Sequence, residues 1–319
     1  MHSPQRSPRH PRRLRALHEL LAPVVALCAG LGVAFPEVAR SLRPGVPLVL
    51  AGQVFGVALT VSFGALAPVL RRPGGVLGAL GTQWITLPLI GLGLYHLAGD
   101  DLVGLGAFIT AASPAEITSA LLAVVAGGAA ATAATLMTAS VAMGCVLTPM
   151  WLLLAHGHVD PGTLAPELLL SVALPLAGGV TIRSRYPELA AHRRRFLDLA
   201  GISLLLVVFV GAGYARPVLG SARLVDTALF AALLVAGGAV VAVAFGRFVP
   251  GSGSQRLGLA FPIGMREFGI STALAVTIAP RAAGFAGVYG VIMMVVAATI
   301  ASISRRRGWS GRRATGDLS

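Results

Sequence analysis

The chain contains no lysine, only two cysteines, and few charged or aromatic side chains, and each shortage narrows what it can be. Charged residues make up 12% of the sequence, against about 25% in an ordinary soluble domain. With 55% hydrophobic residues and a mean hydropathy of +0.81, the chain reads as an integral membrane protein. Aromatics amount to 6% and do not interleave the arginines, which flank apolar runs instead of lining one face. The formal net charge of +13 therefore does not indicate a nucleic-acid partner. Cys28 and Cys145 lie in apolar runs without CxxC spacing, which reads as buried thiols and excludes a disulfide framework. The absence of lysine, with abundant Ala, Gly and Val, points to a GC-rich bacterial genome and carries no mechanism. A His-rich metal set, a Ser-x-x-Lys and an acid pair at catalytic spacing are all missing, so the chain does not read as an enzyme. Nor is there a hydrophilic stretch long enough to be a receptor's output domain.

What is present is apolar sequence in span-length pieces, with 40 Gly and 20 Pro, both tolerated in membrane helices because neighbours satisfy the freed backbone groups. A helix needs about 20 apolar residues to cross the bilayer core. Such runs fall at 18–38, 47–70, 75–98, 102–127, 129–155, 162–182, 197–214, 224–245, 257–279 and 282–304, ten segments in all. The basic stretch before the first run resembles a signal peptide, but no small-residue cleavage site precedes Pro36, and a retained first helix is expected. With both termini in the cytoplasm, 19 of the 25 basic residues lie inside, which favours an even number of spans.

Ten spans suggest two five-helix repeats, the second inverted. The expected division is a basic cytoplasmic arm at 1–17, a first repeat at 18–155, a second at 162–304 and a cytoplasmic tail at 305–319. Each repeat carries one glutamate inside an interrupted apolar run. Glu116 and Glu267 are 151 residues apart, whereas the other ten acidic residues sit at segment ends or outside them. A carboxylate at membrane depth marks a functional site by default. Paired interrupted segments in two halves point to a secondary transporter's binding site.

Pro114 lacks an N–H and disfavours helix at Ser113, so segment four is expected to break there. Ser113, Glu116, Thr118 and Ser119 crowd around that break. In segment nine, Pro262, Gly264 and Gly269 loosen the helix, and Arg266, Glu267, Ser271 and Thr272 supply polar groups. Freed carbonyls can hold a cation, and half-helix starts can hold an anion. A plain reading stands beside this one: Glu116 and Arg266 form a buried ion pair that only fastens the two segments, leaving Glu267 to take a proton or a cation. Gln53 and Gln83 line a cavity or bond between helices. His96 lies at a membrane end, and His156, His158 and Asp160 are a candidate surface metal cluster.

The stretch Ser113-Pro-Ala-Glu116-Ile-Thr118-Ser119-Ala-Leu-Leu-Ala-Val-Val-Ala-Gly-Gly, followed by Leu147-Thr-Pro, resembles segments four and five of the bile acid:sodium symporter superfamily. That superfamily shows Pro-Gly-Gly, Ser-Asn and Leu-Ala-x-Gly in this region and then a Thr-Pro. Glu267-Phe-Gly-Ile-Ser271-Thr272 is similar to its ninth-segment Glu-x-Gly-x-Gln-Asn. The resemblance implies an all-α membrane fold of panel and core domains with broken, crossing helices four and nine. It also implies that Glu267 matches the carboxylate shared by the family's sodium sites and Ser119 a ligand serine. Ala120, Ala133 and Met137 replace polar family positions, Ser271-Thr272 replaces Gln-Asn, and Glu116 and Arg266 are additions. Either one altered Na+ site survives, or H+ on Glu267 and Glu116 couples transport.

The resulting expectation is a secondary active transporter in the bacterial cytoplasmic membrane, moving a small organic anion by alternating access coupled to Na+ or H+, with no other cofactor. Its expected substrate and ion set is Glu267, Glu116, Arg266, Ser119, Thr118, Ser271, Thr272 and Ser113. The alternative is arsenite or antimonite efflux, since Arg266 ahead of Ala273-Leu-Ala-Val partly matches the arsenite carriers, although their segment-four cysteine is absent.

Overall fold

The computed structural model describes residues 12–60, 62, 74–99, 102–155, 166, 169–219 and 223–314. Among the described residues every regular element is helical. In chain order they are α1 (Arg12–Ala34), α2 (Pro36–Ser41), α3 (Val46–Ala58), α4 (Gly74–Leu97), α5 (Leu102–Ala111), α6 (Ser119–Val125) and α7 (Ala130–Ala155). A single π turn, Leu169–Ala173, leads into α8 (Leu174–Arg185). Then follow α9 (Arg193–Leu219), α10 (Arg223–Phe248), α11 (Gly253–Gly264), α12 (Phe268–Ile278) and α13 (Ala283–Ala314). The cluster His156, His158 and Asp160, the proposed repeat boundary, Arg71, Arg72 and most of the basic arm lie outside the described residues.

Among the described residues, four helices are long and apolar enough to cross a membrane: Gly74–Leu97, Arg194–Tyr214, Arg223–Phe248 and Pro280–Arg305. A fifth candidate, Ala130–Gly144 with Val146–Leu153, bends by 51°. Pro149 accounts for the bend, because it cannot donate to the carbonyl four residues back, at the bend itself. Only 28% of the α10 apolar window is buried, and Val225, Val240 and Phe248 point outward. Water would not tolerate so large an apolar face, whereas lipid does. The protein is a multi-pass membrane protein.

The helices pack as two groups. α1, α2 and α3 gather around α9 with α8 packed on α3, while α4 to α7 pack with α10 to α13. The groups meet along α9, α12 and α13, through an apolar cluster that includes Val54, Ile109, Val210, Ile270 and Leu274. In lipid, close backbone approach replaces the hydrophobic drive, and it needs small residues. Gly238 on α10 shows this: a Cβ there would strike the carbonyl of Gly264 at the end of α11.

Both broken segments stop where the sequence predicts. α5 ends at Ala111, and helix resumes only at Ser119. α11 ends at Gly264 and α12 begins at Phe268, with Met265 extended at φ −109° and ψ 129°. The outer ends of these half-helices are well closed. At the end of α6, Gly127 (φ +92°) donates to Val124 and Gly128 to Ala123, a Schellman closure that needs glycine's freedom. At the start of α11, Ser252 and Gln255 form a reciprocal capping box.

Candidate functional site

The two breaks supply each other with backbone partners, and side chains take several of the other freed groups. In a continuous helix, Glu116 N–H would donate to Ala112; here it donates to Met265 O at 3.0 Å. Glu267 N–H, released from Ile263, donates to Pro114 O at 2.9 Å. Ala115 and Arg266 thus face each other as a short antiparallel bridge where the two segments cross. Ala112 O is taken by the Thr148 hydroxyl at 2.8 Å, and Arg266 N–H donates to the Tyr289 hydroxyl at 3.0 Å. Ala115 N–H donates to the Ser140 hydroxyl at 2.9 Å. Because unmet backbone groups cost several kcal/mol in hydrocarbon, this mutual satisfaction explains how non-helical backbone persists at membrane depth.

The two glutamates finish the half-helix starts. Glu267 is the N-cap of α12, where its Oε1 accepts from Gly269 N–H at 3.1 Å. Its Oε2 reaches the opposite segment and accepts from Ile117 N–H at 2.9 Å. Glu116 Oε1 accepts from Thr118 N–H at 3.2 Å and from the Thr118 hydroxyl at 3.1 Å, just ahead of α6. Both carboxylates therefore sit on positive helix ends. They are also neighbours, and both are fully buried. Gln53, from α3 in the other helix group, donates to Glu267 Oε1 at 3.2 Å. Three buried oxygens around this pair have no partner among the described residues: Glu116 Oε2, Ser119 Oγ and Gln53 Oε1.

Arg266 does not form the ion pair with Glu116 that one sequence reading offered. Its Nη1 donates to Ser113 O at 2.9 Å and its Nη2 to Ile263 O at 3.2 Å. Gln83 supplies the third acceptor. A guanidinium only donates, so the amide turns its oxygen toward it, accepting from Nη2 at 2.7 Å and Nη1 at 3.2 Å and from the Ser140 hydroxyl. The physical reason lies in the crossing itself. Ile117 N–H and Glu267 N–H, the helical donors for Ser113 O and Ile263 O, are drawn into the crossing, and the two orphaned carbonyls claim the guanidinium.

All eight residues expected at the site lie in or beside the two breaks, with different duties. Ser113 contributes its carbonyl, while its hydroxyl bonds back to Ile109 O at 2.9 Å. Ser271 and Thr272 turn their hydroxyls onto Phe268 O, at 3.0 and 2.7 Å, and support α12 from within. Thr118 orients Glu116, and Ser119 keeps a free hydroxyl. His96 is exposed in the last turn of α4, as its place at a membrane end suggests. Sequence reasoning passed over Ser140 and Tyr289. Ser140 gave no signal within an Ala- and Thr-rich run, but a tyrosine in the middle of the glycine-rich last span did carry one.

Beside the crossing lies a cavity of about 10 Å³, bounded by Val54, Val57 and Leu176 from one helix group and Ile117, Met137 and Thr138 from the other. It holds at most one water.

Residues 47–221 match the Sodium Bile acid symporter family. The matched range contains the first break and ends before the second. A protein of Bacillus subtilis (strain 168), named as an uncharacterized sodium-dependent transporter, YocS, is 23% identical over 262 residues, covering 79% of each chain.

Proposed function

This chain belongs to the Sodium Bile acid symporter family, and from that premise we propose that it is a secondary active transporter for a small organic anion. A cation taken up between Glu267 and Glu116 drives it, by alternating access across the bacterial cytoplasmic membrane. The observation that carries this reading is the facing carboxylate pair, fully buried and ringed by three unpartnered oxygens. Two negative charges side by side in a low-dielectric interior demand a positive partner. Arg266 is spent on neutral oxygens. Carboxylate, amide and hydroxyl oxygens suit a hard monovalent cation. The sodium dependence in the name of the Bacillus subtilis relative favours Na+ over H+.

The wider architecture fits the same reading. The α1–α3, α8, α9 group takes the part of a panel and the other group that of a core, within ten spans and two inverted repeats whose termini face the cytoplasm. The cavity between the groups corresponds to a closed substrate cleft, and its apolar walls suit the hydrophobic body of an organic anion. Gln53 is the hydrogen-bonded link from the panel side to the coupling carboxylate.

The test is a thermal-unfolding scan of the purified protein in NaCl against choline chloride at equal ionic strength. A sodium-specific rise is expected, because a cation bound only by the folded state stabilises it by mass action. A null result in sodium together with a strong dependence on a pH gradient in proteoliposomes assigns the coupling to protons. If neither response is seen, the carboxylate pair is removed from the mechanism.

A further inference from the structure

We propose that Arg266 is a tethered cation filling a second cation position of the crossing, so that this carrier binds one free ion fewer than its fold has cation positions. The proposal rests on reading the crossing as the coupling site. The position is defined by three neutral oxygens: Ser113 O from the first break, Ile263 O from the second and the Gln83 amide oxygen from α4. Each carbonyl is without its helical donor, because Ile117 N–H and Glu267 N–H are engaged across the crossing. Unwound carbonyls supplemented by a side-chain oxygen are what a transporter offers to a coupling ion. In this chain a guanidinium occupies them.

Two observations separate this from an ordinary buried ion pair. Arg266 is completely buried and makes no ion pair with either glutamate among the described residues, so its charge is held by dipoles, as an alkali ion would be. Its own backbone is fixed independently, through N–H to Tyr289 and through the bridge to Ala115, which keeps the guanidinium in place without help from a counter-ion. A tethered cation is never released, so it keeps its position filled in every state of the cycle but adds nothing to the coupling stoichiometry. The glutamate pair then remains as the place where a free ion is exchanged.

The experiment measures radiolabelled sodium bound to the purified chain, alongside unfolding temperature, for wild type and Arg266→Ala. Removing the side chain frees the three oxygens, and bound sodium is expected to rise from about one ion per chain to about two. Low, non-denaturing guanidinium chloride should displace the added ion, leave the first one bound, and raise the unfolding temperature of Arg266→Ala but not of wild type. An Arg266→Ala protein that folds, binds the wild-type amount of sodium and ignores guanidinium overturns the proposal. Should that variant fail to fold, Arg266→Lys and Arg266→Met decide. Lysine retaining the fold where methionine loses it supports a requirement for charge, whereas both surviving or both failing overturns it. If wild type binds no sodium at all, the sodium-coupling reading fails by itself, and the guanidinium response of Arg266→Ala still tests the role given to Arg266.

Discussion

Replacing Glu267 with Gln changes one oxygen of the crossing to an NH2 and leaves its shape intact. The carboxylate accepts three hydrogen bonds: Oε2 from Ile117 N–H at 2.9 Å, and Oε1 from Gly269 N–H at 3.1 Å and from Gln53 at 3.2 Å. A glutamine that keeps its oxygen on the Gly269 side preserves two of these and turns a donor toward Ile117 N–H. A buried N–H left without an acceptor costs about 1–3 kcal/mol. Against this, the variant removes the repulsion between two carboxylates, about 4 kcal/mol for unit charges ~4 Å apart at an effective dielectric of about 20. In the absence of sodium, Glu267→Gln is therefore expected to be at least as stable as wild type.

Sodium reverses that order. At a concentration about ten times its dissociation constant, a ligand bound only by the folded state contributes about 1.4 kcal/mol. Wild type should gain this and Glu267→Gln should gain nothing. The assay is paired thermal unfolding of both proteins in matched NaCl and choline chloride. A variant that keeps the full sodium-specific shift refutes Glu267 as a ligand. A variant that is much less stable than wild type in choline refutes the charge argument, because it means the two carboxylates do not repel in the resting protein.

Three further substitutions test separate parts of the structure. Gln53→Leu removes the link from α3 and one unpartnered oxygen, and should raise the sodium concentration needed for half-maximal stabilisation about tenfold with the fold intact, read from a sodium titration. Tyr289→Phe leaves the buried Arg266 N–H without its acceptor and should cost about 1–3 kcal/mol, seen as a lower unfolding temperature in sodium and choline alike. Gly238→Ala drives a methyl into the Gly264 carbonyl and should destabilise by about 1–3 kcal/mol, with sodium affinity unchanged in the fraction that folds.

Composition and proline placement made the membrane class and the first break legible, because both follow from local rules. Pro114 cannot donate, so the helix stops near it whatever surrounds it. Glu116, Arg266 and Glu267 stood out for the same reason: charge in an apolar run is costly anywhere. What Arg266 binds was not legible. Opposite charges at matching places suggest a pair, but the choice between a carboxylate and neutral carbonyls depends on which carbonyls lose their donors. That in turn depends on a crossing between segments about 150 residues apart. Ser271 and Thr272 show how local geometry competes with a ligand role. They resemble ligands in a string of letters, yet a hydroxyl in a helix has a carbonyl four residues back within reach, and Thr272 takes it. The first segment also divides where the sequence shows one run, since Pro36 starts α2 afresh at its first turn.

The bridge between Ala115 and Arg266 bears on how the protein is made as well as on how it works. During synthesis, the first break enters the bilayer long before the second exists. Until Met265 and Glu267 arrive, Glu116 N–H and Pro114 O must be served by water or by some temporary partner. The first half of the chain is thus unable to complete itself, and neither half has a finished interior alone. A ribosome that stops early leaves a product with open backbone at membrane depth, the kind of lesion that membrane proteases recognise. Co-expressed as separate polypeptides, the two halves should persist together and be cleared when made singly.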